Sequence, residues 1–109
     1  MTILISNFTS TALSADAGFI VRNEIMKAFS ENPNEKIVLD FSGITLFATM
    51  FFNASIGYLV KERGDIVEKI TPINLSELGK RTYNHSVENA RTILDEETSK
   101  MISNTIDEN

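Results

Sequence analysis

The sequence predicts a small α/β domain whose sheet is mainly parallel and whose helices pack mostly on one face. Short apolar runs alternate with segments of helical periodicity, in the order strand, helix, strand, helix, strand, helix. Such alternation with short connections is typical of a parallel sheet packed by helices. Because 109 residues suffice for one hydrophobic core and no second one, we expect a single domain over residues 1–109.

The first strand and the first helix are expected near the amino terminus. Residues 3–8 (ILISNF) form a short β-prone run, and Ser14 is a suitable N-cap for the segment that follows. That segment ends at the strong break of residues 32–34 (NPN), so we expect a helix over residues 15–31. Its apolar face is formed by Val21, Ile25, Ala28 and Phe29.

The second strand and helix contain the densest set of unusual residues in the chain. Residues 36–41 (KIVLDF) form a nearly continuous apolar run, which favours a central strand buried on both faces. A loop follows, and then a helix is predicted from Thr49 to Arg63, ending at Gly64 and Asp65.

The last strand and helix complete the alternation. Residues 67–75 predict a strand, and Pro72 favours an edge strand or a strand end because proline cannot donate a ladder hydrogen bond. Ser76 is the expected N-cap of the third helix, and the polar residues 84–86 (NHS) are a candidate interruption of it. Two interpretations of residues 95–109 stay open, a helical extension that docks and a frayed tail.

Composition and charge exclude several classes of function. The net charge of -5 and the scattered basic residues argue against nucleic-acid binding, which needs clustered Lys and Arg. The chain has no cysteine, which excludes disulfides and cysteine-based zinc sites, and His85 as its one histidine is a poor metal ligand alone. We expect no metal, no cofactor and no membrane span, and a cytoplasmic protein, because the chain start lacks a signal-peptide pattern.

The predicted second helix is apolar on two sides. One stripe would bury it on the sheet, and the second surface, offset around the helix, needs another cover. Either a protein partner binds this second surface, which we favour, or the amino-terminal strand or the carboxy-terminal tail covers it. The first stripe consists of Phe52, Ile56, Leu59 and Val60, and the second of Met50, Phe51, Ala54, Gly57 and Tyr58.

Residues 37–44 (IVLDFSGI), with the loop and small-residue-rich helix after them, resemble the STAS fold of bacterial anti-sigma-factor antagonists. Residues 14–94 resemble more closely the STAS-like family of the DUF4325 type. The shared features are the strand end, the Phe-rich start of the next helix, Arg22 on the preceding helix, and a later Ile73-Asn74 pair.

The resemblance implies a bacterial signalling protein that regulates through protein–protein interaction. Its implied partner is a signalling protein such as an ATPase of the histidine-kinase type, docked on the loop and helix surface of residues 42–58. The partner-binding residues expected there are Ser42, Thr49, Met50, Phe51, Ala54, Gly57 and Tyr58.

The helix start departs from the antagonist pattern. Where the antagonists carry Asp-Ser-Ser-Gly, residues 48–51 read Ala-Thr-Met-Phe, so the nearest hydroxyl is one residue from the expected phosphoserine. Phosphate at a helix amino terminus would be stabilised by the free amides and the dipole. Thr49 and Ser55 are therefore the candidate phosphorylation sites.

Three functions follow from the sequence. The first is a non-enzymatic STAS-like regulatory module, the second is a homodimer or other homo-oligomer formed through the same surface, and the third is a small nucleotide-binding or hydrolytic domain using Asp40. We disfavour the third and expect no catalytic residue, because no second carboxylate or base accompanies Asp40 in a motif. Its simpler role is to accept backbone N–H groups in the turn it forms with Ser42 and Gly43.

Overall fold

The computed structural model describes the backbone of residues 1–107 and the side chains of residues 1–99. Three parallel strands form one sheet in the order β1-β2-β3, so the strand next in sequence is always the neighbour in space. The strands are β1 (Thr2–Leu4), β2 (Ile37–Asp40) and β3 (Ile70–Ile73). The predicted parallel α/β architecture is confirmed, with β2 at the centre and β3, which contains Pro72, at an edge.

Helices connect and follow the strands. A continuous helix over residues 49–62, called here the central helix, contains a π-helical segment in its middle and packs between the first and last long helices. The helices are α1 (Ala15–Glu31), α2 (Thr49–Phe52), the π segment (Asn53–Gly57), α3 (Tyr58–Glu62), α4 (Gly64–Val67) and α5 (Glu77–Asp107), with a 3-10 turn at Ile5–Asn7.

Two helix starts follow the predicted capping chemistry. The Ser14 hydroxyl accepts the Ala17 N–H at 3.0 Å, and the Ser76 hydroxyl accepts the Gly79 N–H at 3.1 Å. Each bond satisfies one of the amides that a helix start leaves without an internal partner. The predicted N-caps of α1 and α5 are therefore confirmed.

Some predicted boundaries differ from the structure. The first strand ends at Leu4, because the chain winds into a 3-10 turn from Ile5 onward, and the predicted interruption of α5 is wrong. Within that segment Ser86 is fully buried, and its hydroxyl donates to the Asn53 side-chain oxygen at 2.5 Å. The polar residue is accommodated because it has a partner on the facing helix.

Residues 95–107 continue α5, but docking of residues 100–109 lies outside the described side chains.

The helices cover one face of the sheet. Ile37 and Leu39 of β2 are 1% and 2% exposed, whereas Val38 between them is half-buried. On that second face Val38 lies in register with Thr2 and Thr71, both exposed. The expectation that β2 is buried on both faces is therefore wrong, and the packing of helices on one face is confirmed.

Aromatic rings fill the core where the central helix begins. Phe52 packs edge-on against Phe51 and Tyr83, with ring centroids 5.2 and 5.6 Å apart, and stacks on Phe47 at 6.1 Å. Phe41, directly after β2, lies 5.9 Å from Phe52. Such pairs add to the free energy gained by burying the rings. They fix the loop of residues 41–48 and the start of α5 against the central helix.

No helix within the part of the chain that the structure describes is long and apolar enough to cross a membrane.

Candidate docking surface

Most of the second apolar surface of the central helix is covered within the chain. Phe51 and Ala54 are 1% and 9% exposed, and Gly57 is buried. Helix α1 covers Phe51 and Ala54 at Gly18. The contact is so close that a Cβ added to Gly18 would lie 2.5 Å from the Phe51 carbonyl oxygen and 2.8 Å from the Ala54 Cβ. The expectation that Phe51, Ala54 and Gly57 bind a partner is therefore corrected, since these residues belong to the core.

From the sequence we considered the first strand or the carboxy-terminal tail as the cover of this second surface, whereas α1 and α5 cover it in the structure. Helix α5 lies over Gly57, where a Cβ would meet the Ser86 hydroxyl oxygen at 3.2 Å. Both α1 and α5 pack against the π segment. A π segment inserts an extra residue into the helical turn and so changes which side chains share a face. The middle of the central helix is therefore packed between α1 and α5.

Ser55 is also enclosed. Its side chain is 3% exposed, and its hydroxyl donates to the Phe51 carbonyl oxygen at 2.9 Å. A kinase cannot reach this hydroxyl in the folded chain, so the prediction of Ser55 as a phosphorylation site is corrected. Thr49, by contrast, is exposed at the first residue of the central helix.

The start of the central helix keeps an exposed apolar surface. Met50 is 60% exposed, Leu46 in the preceding loop is 54% exposed, and Leu78 in the first turn of α5 is 56% exposed. Leu46 precedes Phe47 and Leu78 precedes Gly79, where an added Cβ would lie 3.0 Å from the Phe47 ring. The residues Leu46, Met50 and Leu78 are called here the loop patch. The sequence predicted Met50 but missed Leu46 and Leu78, which lie outside the periodic part of the helix.

The loop that carries Leu46 is held in place by backbone hydrogen bonds. The Ala12 N–H donates to the Leu46 carbonyl oxygen at 2.9 Å, and the Ala48 N–H donates to the Ala12 carbonyl oxygen at 2.8 Å. Ala12 and Phe47 form an isolated parallel bridge, and Ala12 is fully buried. Leu46 therefore lies on a segment held by its main chain, and Met50 and Leu78 lie on helices, which lowers the entropy cost of binding a partner.

Asp40, Ser42 and Asn74 form a polar cluster at the carboxyl ends of β2 and β3. One Asp40 carboxylate oxygen accepts the Ser42 N–H at 2.9 Å, the Ser42 hydroxyl at 2.6 Å and the Asn74 amide at 3.0 Å. The Asn74 amide hydrogen bond, followed by the Ser42 bonds, lowers the pKa of Asp40 below its usual value. Asp40 thus fits the predicted turn-acceptor role, and Ser42 is exposed but bound within this turn.

The remaining candidate residues lie away from this edge. Tyr58 is half-buried against Arg22, whose guanidinium carbon lies 4.0 Å from the Tyr58 ring centroid. His85 is exposed on α5. Among the described residues, no group of three His, Cys, Asp or Glu side chains is arranged to hold a metal ion.

Comparison with protein families gives one match. The model of the STAS-like domain of unknown function (DUF4325) matches residues 17–80, which is more than half of the chain and extends from α1 to the first turn of α5. The match includes the Asp40 cluster and the whole central helix. No curated protein and no solved structure matched the chain.

Proposed function

The chain belongs to the STAS-like family DUF4325, and from this premise we propose that it is a non-enzymatic regulatory module that binds a signalling protein. The proposed partner is an ATPase of the histidine-kinase type, and the proposed setting is the bacterial cytoplasm. The partner docks on the loop patch of Leu46, Met50 and Leu78, next to the exposed residues Ser42 and Thr49.

The exposure of the loop patch is the observation that supports this proposal. Three large apolar side chains, each more than half exposed, belong to the start of the central helix, to the loop before it and to the first turn of α5, and that loop contacts α5 through Phe47 and Gly79. Clustered exposed apolar side chains rimmed by polar residues are typical of protein–protein contacts. Thr49 is the residue before Met50 at the start of the central helix. A phosphate on Thr49 would therefore add negative charge to the docking surface and change the affinity for the partner.

The Asp40 cluster favours this function over a hydrolytic one. The carboxylate oxygen that accepts three hydrogen bonds is held as a turn acceptor by Ser42 and Asn74. The other carboxylate oxygen takes part in none of these bonds, so what disfavours a general base here is the pKa, which would have to lie close to the working pH. The lowered pKa of Asp40 makes it a weak base, so we propose no reaction there.

The test is affinity capture with Met50→Asp, with Ile20→Asp as the matched control. Ile20 is 47% exposed on α1 and lies outside the loop patch, so both variants add a carboxylate at an exposed apolar site. We expect the wild type and Ile20→Asp to capture a protein with a histidine-kinase-type ATPase domain, and Met50→Asp to lose it while its circular dichroism spectrum is unchanged.

Light scattering coupled to size exclusion separates docking from self-association. A wild-type dimer that Met50→Asp converts to a monomer would replace the proposal with homo-oligomerisation through the loop patch. Capture of the same ATPase by wild type and Met50→Asp with equal yield would contradict the proposed surface.

A further inference from the structure

Arg22 lies between two aromatic rings that belong to different helices. Its guanidinium carbon is 4.8 Å from the ring centroid of Phe19, one turn earlier on α1, and 4.0 Å from the ring centroid of Tyr58, the first residue of α3. Both distances are within the range of cation–π attraction. Contacts with two rings from different helices restrict the position of the guanidinium before any partner arrives.

The edges of the same guanidinium have no protein partner. Within the described side chains, Arg22 takes part in no hydrogen bond and no ion pair, although the chain has 15 Asp and Glu residues and a net charge of -5. A guanidinium carries five N–H donors that lie in its plane, so Arg22 keeps donors for a partner.

Arg63 provides an internal comparison. Its guanidinium carbon lies 5.5 Å from the Phe29 ring centroid, and its side chain also donates to the Asp65 carboxylate at 3.1 and 3.2 Å. Stacking on a ring is therefore compatible with a carboxylate at the edge of the guanidinium. At Arg22 the ring contacts are closer and the carboxylate is absent among the described residues.

We propose that Phe19, Arg22 and Tyr58 form a recognition site for a carboxylate side chain on an acidic segment of a protein partner. A planar guanidinium fits a carboxylate with two parallel hydrogen bonds, and rings that fix its orientation reduce the entropy lost on binding. Phe19 is 42% exposed, so it offers apolar contact area to the side chains that flank the carboxylate. The site does not depend on the loop patch, and the two proposals fail independently.

The test is an NMR titration of the full chain with nitrogen-labelled arginine. The probe is the peptide acetyl-Leu-Glu-Glu-Leu-amide at up to about 10 mM, a range that detects weak single-site contacts. We expect the Arg22 Nε–H resonance to move and saturate, and the Arg63 resonance to stay, because Arg63 already has Asp65. The matched peptide with glutamine in place of glutamate should move neither resonance.

Two variants separate recognition from mere stability. Arg22→Lys keeps the positive charge but cannot form two parallel hydrogen bonds, so we expect about tenfold weaker peptide binding with an unchanged backbone spectrum. Arg63→Lys should bind the peptide as the wild type does. Equal binding by Arg22→Lys and wild type, or equal movement of both arginine resonances, would overturn the proposal. If inorganic phosphate moves the Arg22 resonance and the glutamate peptide does not, the assignment of a carboxylate as the ligand is overturned.

Discussion

A Cβ built on Gly18 would lie 2.5 Å from the carbonyl oxygen of Phe51, so α1 and the central helix meet where there is no room for a methyl group. Backbone oxygen atoms cannot move aside as the end of a flexible side chain can. This contact brings α1 over Phe51 and Ala54 and turns an apolar helix face into core.

We expect Gly18→Ala to destabilise the fold. Alanine improves helix propensity by about 1 kcal/mol, but overpacking at a close helix contact costs typically about 1–3 kcal/mol. Because the nearest atom is a backbone oxygen, we expect the upper end of that cost and a net loss of up to about 2 kcal/mol. Urea unfolding followed by circular dichroism measures the difference in the free energy of unfolding.

Gly64→Ala is the matched control for Gly18→Ala. Gly64 is the first residue of α4, and a Cβ built there meets nothing within 4 Å. Its free energy of unfolding should stay within about 0.5 kcal/mol of the wild type or rise. A Gly18→Ala variant as stable as Gly64→Ala would show that the helices separate without cost.

Local signals account for what the sequence predicted correctly. Ser14 and Ser76 each bind an amide three residues later, and Pro72 excludes a central strand by its own chemistry. The cover over Phe51 depends on Gly18, which is distant in sequence, and periodicity within one helix contains no such information. Ser86 was misjudged for the same reason, because its partner Asn53 is 33 residues away.

The candidate surface was predictable only in part. Thr49 and Met50 follow from their place at the helix start, and both are exposed as expected. Leu46 and Leu78 join them only because Phe47 packs against Gly79, a contact between the loop and the start of α5. Apolar residues in loops and first turns carry no periodic signal, so a tertiary contact was needed to place them.

Tyr83 gives the fold a dependence on alkaline pH. Burial raises the pKa of Tyr83 from 10.0 to about 12, because desolvation disfavours the phenolate, against a smaller opposing effect of Arg91. A raised folded-state pKa leaves stability intact below the unfolded pKa near 10 and removes it as the pH rises towards 12. The loss attributable to this group by pH 12 is roughly 2 kcal/mol.

Tyr83→Phe isolates that contribution. Other titrating groups are common to both proteins, so the difference between their free energies of unfolding should be constant up to about pH 9 and then shift by roughly 2 kcal/mol in favour of the variant. Urea midpoints measured at several pH values from 7 to about 12 give this difference. Parallel stability curves would mean that Tyr83 ionises as freely in the folded chain as in the unfolded one.

Asn74 has two separable effects, on Asp40 and on the backbone. Because the Asn74 amide hydrogen bond is the largest cause of the lowered Asp40 pKa, we expect Asn74→Ala to raise that pKa more than Ser42→Ala does. A carbon-detected NMR titration of the carboxyl group measures both. In the wild type, the stabilisation by Asp40 is present above its ordinary pKa and is lost as the pH falls through the lowered value.

The backbone effect of Asn74 is tested by glycine. Asn74 has φ of 61°, in the left-handed region where alanine is disfavoured by roughly 1–2 kcal/mol and glycine is not. Both substitutions remove the amide, so Asn74→Gly should be more stable than Asn74→Ala by about 1 kcal/mol while the two share the same Asp40 pKa. If Asn74→Ala were as stable as Asn74→Gly, the left-handed backbone would carry no cost for alanine. The role of Asn74 would then lie in its side chain alone.

Thr49 and Ser55 should respond in opposite ways to a negative charge. Thr49 is exposed in the first turn of the central helix, and no side chain caps that helix at Ala48, so Thr49→Glu should stabilise the fold by about 0.3–1 kcal/mol through the helix dipole. Ser55 is 3% exposed, and Ser55→Glu would bury a carboxylate without a cationic partner, at a cost of about 3 kcal/mol or more. Ser55→Ala, which loses the hydrogen bonds to the Phe51 and Phe52 carbonyl oxygens, controls for the missing hydroxyl. The melting temperatures of the three variants measure these differences. If Ser55→Glu were as stable as Thr49→Glu, the central helix could turn Ser55 towards solvent. Ser55 would then again be a candidate site for a kinase.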